Sequence, residues 1–143
     1  MSYFSEAERK EIKQTIELVE SQTSGEVCVC LEKYCDADPI SRAQEYFEKL
    51  NLSKTKARNG VLLYIATLDK VFAIIGDEGV HQIVGQEFWE DAKRAMKNHF
   101  QEGEMAKGII KGVEKVGIVL KKHFPKLHDD ENELSDDIIF GDV

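Results

Sequence analysis

With 143 residues, the chain is the size of a single domain with one hydrophobic core. Its net charge of −8 is concentrated at one end: residues 129–143 hold seven acids and no base, leaving 20 acids against 19 bases in the body. Binding to phosphate by counterion release needs clustered Lys and Arg, so nucleic acid is excluded as a partner class, and no stretch approaches the roughly 18 apolar residues of a membrane span. The opening MSYFSEAERKEIKQ lacks the apolar region and small-residue cleavage site of a secretory signal, so a soluble protein of the cytoplasm is expected.

Ser5 and Glu8 stand at capping-box spacing and predict a helix running to Ser21, with Ala7, Ile12, Ile16 and Val19 on its inner stripe. The polar cluster 21–25 ends it. A strand is predicted over 26–33, with Val27, Val29 and Leu31 on one face and Cys28 and Cys30 on the other; apolar residues on both faces mean that both are covered. Three cysteines in a chain without a secretory signal read as reduced thiols, Cys28 and Cys30 as small core residues and Cys35 as the more exposed one. Six residues separate Cys35 from Arg42, one more than a cysteine-phosphatase loop has, and no glycines cradle an anion there, so that chemistry is rejected. Asp38 before Pro39 predicts an N-cap and a second helix with Ile40, Ala43, Phe47 and Leu50 inside.

A polar connection leads to Asn59-Gly60 and then to VLLYIA (61–66), Thr67-Leu68-Asp69-Lys70 and VFAIIG (71–76), two short apolar runs rich in branched and aromatic residues that predict a buried hairpin. Strand, helix and strand make a right-handed βαβ unit, so the first two strands should be parallel and the third antiparallel beside the second. After Gly79 a short helical turn is expected through Val84, then a break at Gly85 and a helix over 86–100 with Phe88, Ala92, Ala95 and Met96 inside and Trp89 on its flank. The last helix, 104–124, carries Met105, Ile109, Val113, Val116, Leu120 and Phe124 on one side, and Gly108 and Gly112 as close-packing points. The fold class is therefore α/β: a three-layer α/β/α sandwich around a small mixed sheet. Residues 1–125 form the domain and 126–143 an acidic tail, solvated over 128–133, whose Ile138-Ile139-Phe140 either docks on the body or engages a partner.

Two ends of the sheet could hold a site. Beyond the carboxyl ends of the parallel strands lie Asp36, Asp38 and Asp69, a weaker metal cluster. The opposite end gathers Thr23, Ser24, Arg58, Asn59, Asp77 and Glu78, because the antiparallel third strand finishes where the first two begin. Here Asp77 and Glu78 are oxygen ligands of the type Ca2+ or Mg2+ takes, with Arg58 and Asn59 as the accompanying catalytic candidates.

The ordered run RNGVLLYIATLDKVFAIIGDEGV, with TSGEV upstream and FQEGEMAKGIIKGVEKVGIVL downstream, resembles the TPM-domain family over about residues 4–125. The resemblance implies an α/β/α module of bacteria and plant thylakoids. It also implies a range of roles: a plant member is described as an acid phosphatase of photosystem repair, an animal member as a receptor accessory protein, and members are linked to calcium. Typical members carry an Asp before the first helix where this chain has Ser2-Tyr3-Phe4-Ser5, and many bacterial members carry a signal peptide and anchor. Two readings follow: a non-catalytic protein-interaction or regulatory module with protein partners, or a divalent-metal-assisted phosphatase acting on phosphomonoesters.

Overall fold

Every residue of the two central strands is buried, which is what continuous apolarity with helices on both sides requires. The computed structural model describes residues 3–126 and 138–140. In chain order the elements are α1 (Glu6–Ser21), β1 (Glu26–Glu32), α2 (Pro39–Lys49), a 3₁₀ turn (Leu52–Lys54), β2 (Gly60–Ala66), β3 (Val71–Gly76), α3 (Glu78–Gln101), α4 (Met105–His123) and β4 (Ile139–Phe140). The sheet order is β3-β2-β1-β4. β1 and β2 are parallel, with Val27 opposite Val61, and β2 and β3 are antiparallel, with Leu62 opposite Ile75. The predicted βαβ unit and hairpin are both present.

The two faces of the sheet carry separate cores. Val27, Val29, Leu31, Val61, Leu63 and Ile65 pack with α1, α3 and α4, whereas Cys28, Cys30, Leu62 and Tyr64 pack with α2 and Leu52 of the 3₁₀ turn. This is the three-layer arrangement the alternation predicts. The expected close approaches are made at Gly108, where a Cβ would lie 2.3 Å from the Phe100 ring, and at Gly112, where it would lie 2.6 Å from Met96 Sδ.

Local signals in the sequence place the helix ends. Ser5 accepts from the Glu8 N–H while Glu8 accepts from the Ser5 N–H, closing the capping box. Such a cap is worth about 1 kcal/mol. Asp38 accepts from the Ser41 N–H, with Pro39 opening α2. α3 breaks at Gly85, whose φ of 76° and ψ of 171° lie in a region that only glycine adopts readily.

Four stripe assignments are corrected by the packing. Ala7 is exposed and Phe4 is buried in its stead, the chain before α1 folding back onto the core. Ile40 is exposed at the start of α2, and Tyr46 takes the inner position, because its hydroxyl finds a buried partner. In α3 the roles of the adjacent aromatics are reversed: Trp89 is buried and Phe88 only half-buried. Trp89 packs against Gly76, where a Cβ would come within 2.4 Å of its ring, and its Nε1 donates to His81 Nδ1 at 2.9 Å.

Of the two readings of the apolar group in the tail, docking on the body is the one observed. Ile139 and Phe140 pair parallel to β1, opposite Cys30 and Leu31. The segment 128–133 and Leu134 lie outside the described residues. Among the described residues, no helix is long and apolar enough to cross a membrane.

Candidate functional site

At the end where β3 finishes, the sheet brings together the predicted group, and it does so through the backbone. Arg58 adopts a left-handed conformation, φ 52°, and its carbonyl accepts from the Gly79 N–H at 2.9 Å. Gly60 accepts from the Asp77 N–H at 2.8 Å, which anchors the end of β3 to the start of β2. Asp77 then caps α3, its Oδ1 accepting from the Glu78 N–H at 2.8 Å.

The same carboxylate is gripped by Arg58. Nε donates to Oδ2 at 2.6 Å and Nη2 to Oδ1 at 2.8 Å, a bidentate pair in which Asp77 is buried and Arg58 is 42% exposed. The Asp77 carboxylate in turn raises the pKa of Arg58. Glu78 is exposed and stands 3.6 Å from Arg58 Nη1. Asn59 is buried; Nδ2 donates to Ser24 Oγ at 3.3 Å, its N–H donates to Thr55 Oγ1 at 3.2 Å, and its Oδ1 has no hydrogen-bond partner among the described residues. Thr23 serves the neighbouring helix end: its hydroxyl donates to the Leu120 and Phe124 carbonyls at the end of α4. An open recess of about 450 Å³ lies beside Arg58, between α2 and the end of β3.

In this arrangement the residues do not fit a resident divalent ion. The guanidinium of Arg58 already occupies both oxygens of Asp77, in the position a metal would need, and Glu78 alone offers too few ligands. Among the described residues, no three His, Cys, Asp or Glu side chains are grouped to hold a metal. At the other end of the sheet the three aspartates take separate tasks. Asp69 Oδ2 accepts from the Cys35 N–H at 2.7 Å, Asp38 caps α2, and Asp36 is exposed.

That second end holds a buried polar network that sequence reasoning did not assemble. Glu32, at the last position of β1, accepts from Arg42 Nη2 at 2.5 Å and Nε at 3.1 Å, and from the hydroxyls of Tyr46 and Tyr64 at 2.6 Å each. The Arg42 guanidinium also covers the Tyr46 ring, 4.7 Å from its centroid, and reaches Glu45 at 2.8 Å. Burial pulls the Glu32 pKa upward, but the hydrogen bonds from Arg42, Tyr46 and Tyr64 outweigh it and hold the carboxyl down at about 2. Burial and the bond to Glu32 push both phenols up. The signal was available: a charged residue ends an otherwise apolar strand, and Arg42 and Tyr46 lie four apart on one face of a helix. Nearby, Cys28 and burial push the Cys30 thiol up, in keeping with a core role, and the Cys35 thiol donates to the Ala37 carbonyl at 3.1 Å.

A mixed four-stranded sheet between helix layers, with an Arg-Asn-Gly turn clasping an Asp-capped helix, defines a class of small α/β/α domain. A family model described as the TPM domain matches residues 1–119, and the chain belongs to that family. Among solved structures, the BA42 protein of the psychrophilic bacterium Bizionia argentinensis is similar over 98% of this chain and 97% of its own, with 38% identity and a TM-score of 0.90. The N-terminal domain of the cg2496 protein of Corynebacterium glutamicum shares the fold at 15% identity and a TM-score of 0.68, covering 91% of this chain and 85% of that one. An N-terminal domain from P. gingivalis shares it at 21% identity and a TM-score of 0.69, covering 87% and 82%. No curated protein matches the chain.

Proposed function

We propose that this TPM domain is a non-catalytic protein-interaction or regulatory module that works in the cytoplasm on protein partners. The observation that carries the reading is the commitment of the candidate catalytic side chains to the fold. Asp77 is clamped by Arg58 and caps α3, and Asn59 holds Ser24. A general base or nucleophile must instead reach a substrate with its reactive atom open.

The alternative is a metal-assisted phosphatase of phosphomonoesters, with Asp77 and Glu78 as the first set of ligands for Ca2+ or Mg2+ and Asp36, Asp38 and Asp69 as the second. Its support is the recess beside Arg58 and the exposed Glu78 next to it. In that reading the clamp opens before an ion enters. The two are separated by assaying the purified chain on a generic phosphomonoester with each metal, beside the Asp77→Asn/Glu78→Gln double variant, which keeps an N-cap. Equal background rates in both proteins support the module. Turnover that only the unaltered chain displays, and that either metal stimulates, overturns it.

A further inference from the structure

β3 is the outer strand of the sheet on the side opposite β4. Its pairing with β2 fixes which backbone groups are used. Asp77 and Gly60 are joined by a narrow-pair hydrogen bond, so the alternation of an antiparallel ladder directs Ile75, Ala73 and Val71 toward β2. Phe72, Ile74 and Gly76 therefore turn their N–H and C=O groups outward, and among the described residues nothing bonds to them. An open strand edge of this kind is ordinarily blunted or covered.

Two recesses flank this edge, on opposite faces of the sheet. One, of about 380 Å³, is lined by Phe72 and Phe100 between the start of β3 and the end of α3, with Lys70 and Lys97 at its rim. The other is the recess of about 450 Å³ on the α2 side, reached at Ile75 and Gly76. Side chains of an added strand point alternately to the two faces, so residues three apart can enter one recess each. The charge is equally specific. In a chain of net charge −8, Lys70, Lys93 and Lys97 are exposed around the aromatic recess and make no ion pair among the described residues, and Lys93 Nζ lies 5.9 Å from the Phe72 ring centroid.

We propose that the β3 edge binds an extended, acidic segment of another protein as an added strand, with an aromatic side chain of that segment in the recess between Phe72 and Phe100. The open N–H and C=O groups supply the affinity common to any strand, the aromatic recess selects the anchor, and the three lysines select flanking acids. The chain's own apolar tail residues do not compete, because they lie on the far edge beside β1. The proposal rests on the reading of the domain as an interaction module, and names the surface and the chemistry of the partner.

The test uses the full chain and a fluorescein-labelled eight-residue peptide, Val-Glu-Val-Phe-Val-Glu-Val-Glu, in which the glutamates share the face of the phenylalanine, titrated by fluorescence anisotropy and by amide chemical shifts. Saturable binding is expected, with the largest shifts at Phe72, Ile74 and Gly76. Affinity should fall at least tenfold in the Lys70→Glu/Lys97→Glu variant, whose circular dichroism stays unchanged, and at least tenfold when the phenylalanine is replaced by alanine. N-methylation of alternate peptide amides should abolish binding in one of its two registers and spare it in the other, since only one set faces β3. Shifts confined to the lysines or centred on Cys30 and Leu31 overturn the proposal, as does equal loss in both methylated registers. Dimerisation of the chain through β3, seen by sedimentation, overturns it in favour of a second copy as the occupant. Failure of peptide binding without phosphatase turnover rejects this groove and leaves the module reading standing, whereas metal-stimulated turnover rejects the module reading whatever the peptide does.

Discussion

Replacing Glu32 by Gln tests the energetics of the buried network directly. The carboxyl has its pKa lowered from 4.5 to about 2 in the folded chain, and with only 5% of the side chain exposed the shift converts to stability without a large discount for solvent. At 1.36 kcal/mol for each unit, the ionised form favours folding by about 3 kcal/mol. Because the folded value is the lower one, that stability is complete above the unfolded value and is lost as the pH falls toward the folded one: about 1.4 kcal/mol is gone by pH 3.5 and about 2 kcal/mol by pH 3.

Glu32→Gln removes the charge at every pH. It leaves the Arg42 guanidinium with Glu45 and with water, the side chain being 32% exposed, so the loss at neutral pH belongs at the lower end of the range for a broken buried pair, about 3 kcal/mol. Urea unfolding followed by circular dichroism at neutral and at acid pH measures both proteins. Other carboxylates titrate in both and cancel in the difference, so the gap between the two should narrow by about 2 kcal/mol between pH 7 and pH 3. Parallel pH profiles, with a gap that stays constant, would refute the assignment of the low pKa to the hydrogen bonds from Arg42, Tyr46 and Tyr64.

Two further substitutions test the joints of the fold. Helix propensity favours Gly79→Ala in the first turn of α3 by about 1 kcal/mol, but the added Cβ would lie 2.1 Å from the Ala57 carbonyl oxygen and 2.6 Å from that of Arg58. Both obstacles are backbone, so the clash decides the sign, and a net destabilisation of about 2 kcal/mol or more is expected in the urea midpoint; an unchanged or higher midpoint would contradict the close approach. Thr23→Val keeps the shape but removes the hydroxyl that donates to the Leu120 and Phe124 carbonyls. The expected loss is about 1 to 3 kcal/mol, with faster amide exchange in the last turn of α4, and exchange that is faster everywhere except that turn would argue against a local capping role.

Periodicity and punctuation were enough to read the elements and their layers from the chain. The capping box at Ser5, the Asp38-Pro39 start, the break at Gly85 and the parallel and antiparallel strand pairs follow from local spacing, steric rules and the handedness of the βαβ crossover, all of which act over a few residues or one connection. Bringing Arg58, Asn59, Asp77 and Glu78 to one end of the sheet was legible for the same reason, since strand direction alone puts them there. How they use their charges was decided only in three dimensions: the left-handed Arg58 turns its guanidinium onto Asp77, and a sequence cannot tell a carboxylate that holds an arginine from one free to hold a metal. The Glu32 network, the burial of Trp89 rather than Phe88, and the pairing of Ile139 and Phe140 with β1 belong to the same category. Each depends on which group from a distant element fills a particular space or hydrogen bond, and that choice is made by close packing across the two cores rather than by any neighbour in the chain.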